Sequence, residues 1–279
     1  VPIHDQSYRR YGGNREAPGA AWLVIARIGI KAALSKRLFL WVMLGAWSQF
    51  FVRSVIFYLS ANFPSMDILA PSVQTFRQFF EIQWIFVFFV TVYVGSGLIA
   101  NDRRSNAIQI YLSKPLTRVE YVTGKLGVLV FFLLGVTLLP ALALLLVQVM
   151  FSASLSFVAE NLFLLPAITL YALVQVLLAA FLILALSSLS NSARYAGILY
   201  AGVVLFSNAV FRVVQGFTST TGLAWLSFQA NQDQIGDVIF RLPTRFESPW
   251  FMSALMIFVV IGLSAWVLER RVRGVEVMT

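Results

Sequence analysis

The sequence offers little to covalent chemistry. It contains no cysteine and one histidine, His4, in a polar stretch near its start. Thiolate nucleophiles, disulfides, iron–sulfur clusters and Cys-based zinc sites are therefore excluded. Ser–His hydrolysis and multi-His metal catalysis need imidazole beside the reacting centre, and His4 is remote from every apolar run. The 12 acidic residues fall in tails, loops or the ends of apolar runs, with none in the middle of one. A phosphate cradle requires G-x-x-x-x-G-K-[ST], so that backbone amides can surround the phosphates. The sole Gly-Lys pair is Gly124-Lys125, with Val119 where the first Gly belongs and Leu126 where Ser or Thr belongs. No nucleotide site is encoded.

Two cations stand out. Arg53 and Arg212 lie inside apolar runs, about 21–24 Å along their helices from the Lys/Arg-rich end at 1.5 Å per residue. Each can snorkel to the far headgroups or line a substrate path; snorkelling is the weightier of the two readings. Gln148, Gln175 and Asn208 also lie in apolar runs. They form no ring or filter motif, and hydrogen bonding between helices accounts for them best.

The elements that must carry these residues are set by composition. Of the 279 residues, 59% are hydrophobic and only 12% charged, and mean hydropathy is +0.81. A soluble domain carries about 25% charge. There is too little polar surface to cover a soluble globule, so the chain faces lipid. Apolar runs at 39–60, 84–100, 126–151, 162–189, 196–217 and 250–268 are each long enough to cross about 30 Å of hydrocarbon. Unbroken runs in a bilayer form helices, because a helix satisfies its own backbone there. The expectation is an all-α polytopic membrane protein: one domain over 1–279, with a tail and interfacial helix over 1–38, six transmembrane helices over 39–268 and a tail over 269–279.

Residues 1–18 are polar and basic and lack the apolar core of a secretory signal. Residues 20–38 form a helix with Arg27 and Lys31 on one face and Trp22, Ile25, Ala26, Gly29 and Ala33 roughly opposite. That pattern suits a helix lying in the membrane interface; the start of a long first span is the alternative. Lys and Arg cluster in the first 38 residues, between the second and third runs, and in the last ten residues, whereas the opposite side has Arg77, Arg241 and Arg245. The bias places both termini in the cytoplasm. The basic tails suit anionic headgroups, and without a nucleic-acid motif no such partner is expected. On the far side, 218–249 is the longest connection; a short amphipathic helix over 234–241, or a plain headgroup-contacting loop, suits it, and a second helix is possible over 72–83.

The most informative segment is 95–125, GSGLIANDRRSNAIQIYLSKPLTRVEYVTGK. Asn101 or Asp102 suits an N-cap for a short helix over 103–112, which presents Ile108, Tyr111 and Leu112 at i, i+3, i+4 spacing. Pro115 stops it, and Thr117-x-x-Glu120 is a capping box that starts the third span. A short charged helix held at both ends can pass a push from a cytoplasmic partner to the spans. Asp102-Arg103, Ser113-Lys114-Pro115, Arg118, Tyr121 and Gly124-Lys125 together resemble the cytoplasmic loop of ABC-2 type permeases, the membrane subunits of one class of ATP-binding-cassette transporters. Family members often have Glu where Asp102 stands.

The resemblance implies a coupling helix docked in a groove of a separate ATPase, with that role falling to Asp102, Arg103, Arg104, Ile108, Tyr111, Leu112 and Pro115. It also implies a permease, an exporter in the inner or cytoplasmic membrane, that is not itself an enzyme and binds no cofactor. ATP and Mg would sit on two copies of the ATPase, and a second permease copy or a paralogue would complete the path. The competing readings are a secondary carrier, which would usually want a carboxylate in the membrane, and a non-transport anchor or signalling subunit that uses the same loop to hold a partner.

Overall fold

Helix starts are written locally. Ser72 and Thr117 each accept from the backbone N–H three residues on, and Thr75 and Glu120 return a side-chain contact to the cap backbone. These reciprocal boxes satisfy amides that a helix leaves orphaned. The computed structural model describes residues 21–63, 71–107, 117–152, 157 and 160–272. Its elements are α1 (Ala21–Leu34), α2 (Arg37–Asn62), α3 (Val73–Val90), a π-helical turn (Thr91–Gly95), α4 (Ser96–Arg104), α5 (Arg118–Val136), α6 (Leu138–Ser152), α7 (Leu164–Leu189), α8 (Ala193–Thr218), a 3₁₀ turn (Ala224–Leu226), α9 (Phe228–Ile239) and α10 (Trp250–Arg271). No strand occurs among the described residues.

Six helical stretches are long and apolar enough to span a membrane: Arg37–Asn62, Val73–Arg104, Arg118–Phe151, Leu164–Leu189, Ala193–Thr218 and Trp250–Arg271. The all-α, six-span architecture is as expected from the sequence. Helix α7 is its axis: 67% of its most apolar window is buried inside the protein, against 11% for α2. Large apolar side chains such as Trp41, Leu44, Phe51, Phe206 and Phe258 point outward. Lipid, not water, is the solvent such a surface fits.

Several boundaries differ from the sequence expectation. The second span begins at Val73, not near 84, so 72–83 is part of a span and not a separate external helix. Arg77, Glu81 and Gln83 lower the local hydropathy and hide the continuation. Glu81 consequently sits within a span helix near its end. The third span begins at Arg118, not near 126, and breaks between α5 and α6. Pro140 has no N–H for the carbonyl of Val136. Gln83 supplies the missing donor: its Nε2 lies 2.5 Å from the Val136 carbonyl and 3.0 Å from that of Ala46. One amide thus joins the first three spans.

Helix α1 is separate from α2, with Lys36 extended between them. It lies along α5, where Gly124 and Gly29 allow close approach. A Cβ on Gly124 would stand 2.8 Å from Ile25 Cβ and 2.9 Å from the Trp22 carbonyl, and one on Gly29 would stand 2.6 Å from Val128. The helix expected over 234–241 is α9, and it is buried, not laid on the surface. Asn231, Gln232, Gln234 and Asp237 are all 5% exposed or less. Its first amides are met from α8: Ser207 accepts from Phe228 N and Asn208 from Gln229 N. The end of the bundle bearing α9 is termed the far end, and the end joining Arg104 to Thr117 the loop end.

Candidate coupling site and far-end ion cluster

At the loop end, span two runs through Asn101 and Asp102 to Arg104, and Ser105 ends it. Neither Asn101 nor Asp102 therefore caps a new helix. The Asp102 side chain is used elsewhere. It accepts from the Tyr121 hydroxyl at 2.8 Å and pairs with Lys125 Nζ at 2.6 Å. Lys125 in turn lies 5.4 Å from the centre of the Tyr121 ring. The Asp102 and Lys125 side chains are 18% and 13% exposed. Charge-assisted hydrogen bonds in such a setting contribute about 1.5–3 kcal/mol.

Arg103 donates to the carbonyl of Ser188 on α7. One residue back, Ser187 Oγ receives the amides of Ile99 and Ala100 at 3.2 and 3.0 Å and donates to the Ser96 carbonyl at 2.8 Å. The lower part of span two, just past its π turn, is thereby tied to α7. Gly124 and Lys125 acquire distinct reasons: the glycine admits α1, and the lysine neutralises Asp102. Arg104 is exposed. Ile108, Tyr111, Leu112 and Pro115 lie outside the described residues.

At the far end, Arg77 is fully buried. Its Nε donates to Asp237 Oδ1 at 3.1 Å, and one terminal nitrogen donates to Asp233 Oδ1 at 2.9 Å and to the Asp233 carbonyl at 3.0 Å. The other terminal nitrogen stands 3.3 Å from Glu81. The guanidinium lies 5.1 Å from the Tyr171 ring centre. Arg245 grips Asp237 with two nitrogens, at 2.8 and 3.0 Å, and reaches Glu81 at 2.5 Å. Gly236 makes this possible, since a Cβ there would lie 2.5 Å from Arg77 Nε. Burial pushes the Asp233 carboxyl above its ordinary range, against the opposing pull of Arg77. Burial pulls Arg245 down, but the Asp237 and Glu81 carboxylates more than offset it and hold the guanidinium above its ordinary value.

Sequence reasoning missed this cluster because its members were distributed among separate loops. The available signals were Arg77-x-x-x-Glu81 and Asp233-x-x-x-Asp237, each at one-turn spacing. Of the two arginines singled out earlier, Arg53 is 9% exposed and its Nε has no hydrogen-bond partner. Arg212 is exposed on α8 and belongs to neither cluster. No group of three His, Cys, Asp or Glu suited to a metal occurs among the described residues.

The geometry is that of a membrane bundle braced by ions at both ends. No curated protein is similar enough to count as a relative. The model of a family described as ABC-2 family transporter protein matches residues 58–243. That match covers well over half of the chain and takes in the loop-end cluster and all of the far-end cluster but Arg245. The chain thus belongs to the ABC-2 transporter family, as a multi-pass membrane permease component of an ATP-binding-cassette transporter, a family that implies partnership with an ABC ATPase subunit.

Proposed function

We propose that this chain is the permease of an exporter, driven from the cytoplasmic side by a separate ATPase that docks on the segment between spans two and three. Both termini lie in the cytoplasm of a cell membrane, as the Lys/Arg bias argues. Two permease copies, or this chain and a paralogue, enclose the path, and two ATPases hold the ATP and Mg. The observation that carries the reading is the brace at the loop end. Asp102, Tyr121 and Lys125 join the two stems of the loop, and Arg103 joins them to α7. A push on the loop is delivered to three spans at once and is not lost in a flexible hinge. In this division of roles Asp102 and Arg103 hold the base, while Arg104, Ile108, Tyr111, Leu112 and Pro115 meet the ATPase. Of the two arginines in the spans, the exposed Arg212 reaches the far headgroups, and the buried Arg53 is the candidate for a substrate path.

The test uses the chain assembled with a cognate ABC ATPase in lipid. Arg104→Glu reverses an exposed charge and touches neither brace. It is expected to abolish permease-dependent stimulation of ATP hydrolysis while the melting temperature of the permease stays unchanged. Normal stimulation in the variant would remove the docking assignment.

A further inference from the structure

We infer that Arg53 is a second partner for Glu81, and hence a positioning residue of the transport cycle. In the present arrangement Glu81 is the loosest member of the far-end cluster. Arg245 and Arg77 both approach its Oε1, and that oxygen has no aligned hydrogen bond. Each arginine has at least one other carboxylate, and Glu81 is the charged contact of only one terminal nitrogen of Arg77. Arg77 keeps Asp233 and Asp237, and Arg245 keeps both oxygens of Asp237. Glu81 can therefore leave with both guanidiniums still paired to aspartates.

Across from it, on α2, Arg53 is buried with an Nε that has no partner among the described residues; Ala46 and Phe57, on either side of it along the helix, meet Gln83 and Phe76 of α3, which sets Arg53 beside the Glu81 stretch. A buried guanidinium nitrogen without a partner is costly. The cluster itself holds Arg77 and Arg245 against Glu81, Asp233 and Asp237, so its charges balance only when Arg53 of span one is counted. Span one is also the least buried of the six. It is the span best placed to shift against the rest, and the distance from Arg53 to Glu81 is set by that shift. The two states are then Glu81 held by Arg245 and Arg77, and Glu81 held by Arg53. Exchange of one carboxylate between two cations gives a helix pair two discrete positions, as a gate requires.

The inference rests on the chain being the moving part of a transporter, but its test reads the chain by itself. Uncoupling from an ATPase would leave the readout unchanged. The sequence has no cysteine, so Asn62→Cys and Thr244→Cys place two spin labels at the far end without background. Distances are measured on the full chain in lipid nanodiscs near neutral pH. Arg53→Gln is expected to leave a single narrow population, because Glu81 loses its alternative. Arg245→Gln is expected to enrich the other population about tenfold. Arg53→Lys, which keeps the cation, should retain both populations, which a merely structural role for the Arg53 side chain would not predict. An unchanged distribution in Arg53→Gln would overturn the inference. Should that variant fail to fold, Arg245→Gln decides, and the absence of enrichment there is equally fatal.

Discussion

Replacing Arg77 by Met removes the charge at the far end while keeping an aliphatic stem against Tyr171. The consequence can be followed carboxylate by carboxylate. Asp237 keeps its two-pronged contact with Arg245, and Glu81 keeps Arg245 at 2.5 Å. Asp233 loses the Arg77 pairing, its one ion pair among the described residues, and its side chain is only 17% exposed. Breaking a buried pair outright costs about 3–5 kcal/mol. Because two of three carboxylates retain a cation and the third can take up a proton, about 2–4 kcal/mol is expected here. By the scaling of domains this size, melting should fall by about 5–15 °C.

The pH dependence has a definite sign. Burial already holds Asp233 above its ordinary value, and Arg77 is what pulls it back. Without Arg77 its folded-state value rises further above the unfolded one. Such a carboxyl destabilises the fold at pH above its folded value, and the penalty disappears as falling pH protonates it. The deficit of Arg77→Met against the parent should therefore shrink between neutral pH and about pH 5. The assay is fluorescence-detected melting of the purified chain in detergent across that range. A shift below about 1 °C, or a deficit that widens on acidification, would refute the argument.

Three further outcomes are expected. Gln83→Leu should cost about 1–2 kcal/mol by leaving the Val136 carbonyl unmet; Pro140→Ala, which restores a backbone donor, should recover part of the loss, so that a double-mutant cycle in melting experiments is non-additive. Gly124→Ala should raise hydrogen exchange across 21–34, since its Cβ collides with Ile25 and the Trp22 backbone at a cost of about 1–3 kcal/mol. Lys125→Met should leave Asp102 with the Tyr121 hydroxyl alone, lowering stability by about 1–2 kcal/mol, and added salt should narrow its difference from the parent in melting.

Much of the fold was legible because apolar length and local capping act over short distances. Thr117 and Glu120 declare a helix start within four residues, and the six runs declare themselves by composition. What escaped was every feature built from residues far apart in the chain. Arg77 looked like a loop cation until α9, more than 150 residues later, brought Asp233 and Asp237 to it. Gln83 looked like a loop amide because its purpose, the carbonyl left open by Pro140, lies in another span. At the loop end Asp102, Tyr121 and Lys125 were all marked as one pattern, but the reading assigned Asp102 to a partner protein. The geometry adds what the sequence could not show, a carboxylate turned toward its own third span. Asn101 and Asp102 also show how a strong capping preference yields when the helix has other reasons to continue.

The π turn at Thr91–Gly95 has a consequence for angular phase. A turn of this kind holds one residue more than an ordinary one. Every side chain below it is consequently rotated by about 100° relative to an uninterrupted α-helix, given 3.6 residues per turn. The azimuth at which Asp102 meets Lys125 is thus fixed by a single surplus residue several turns away. Deleting it would leave the span's composition almost untouched and swing the carboxylate to a different flank of the bundle.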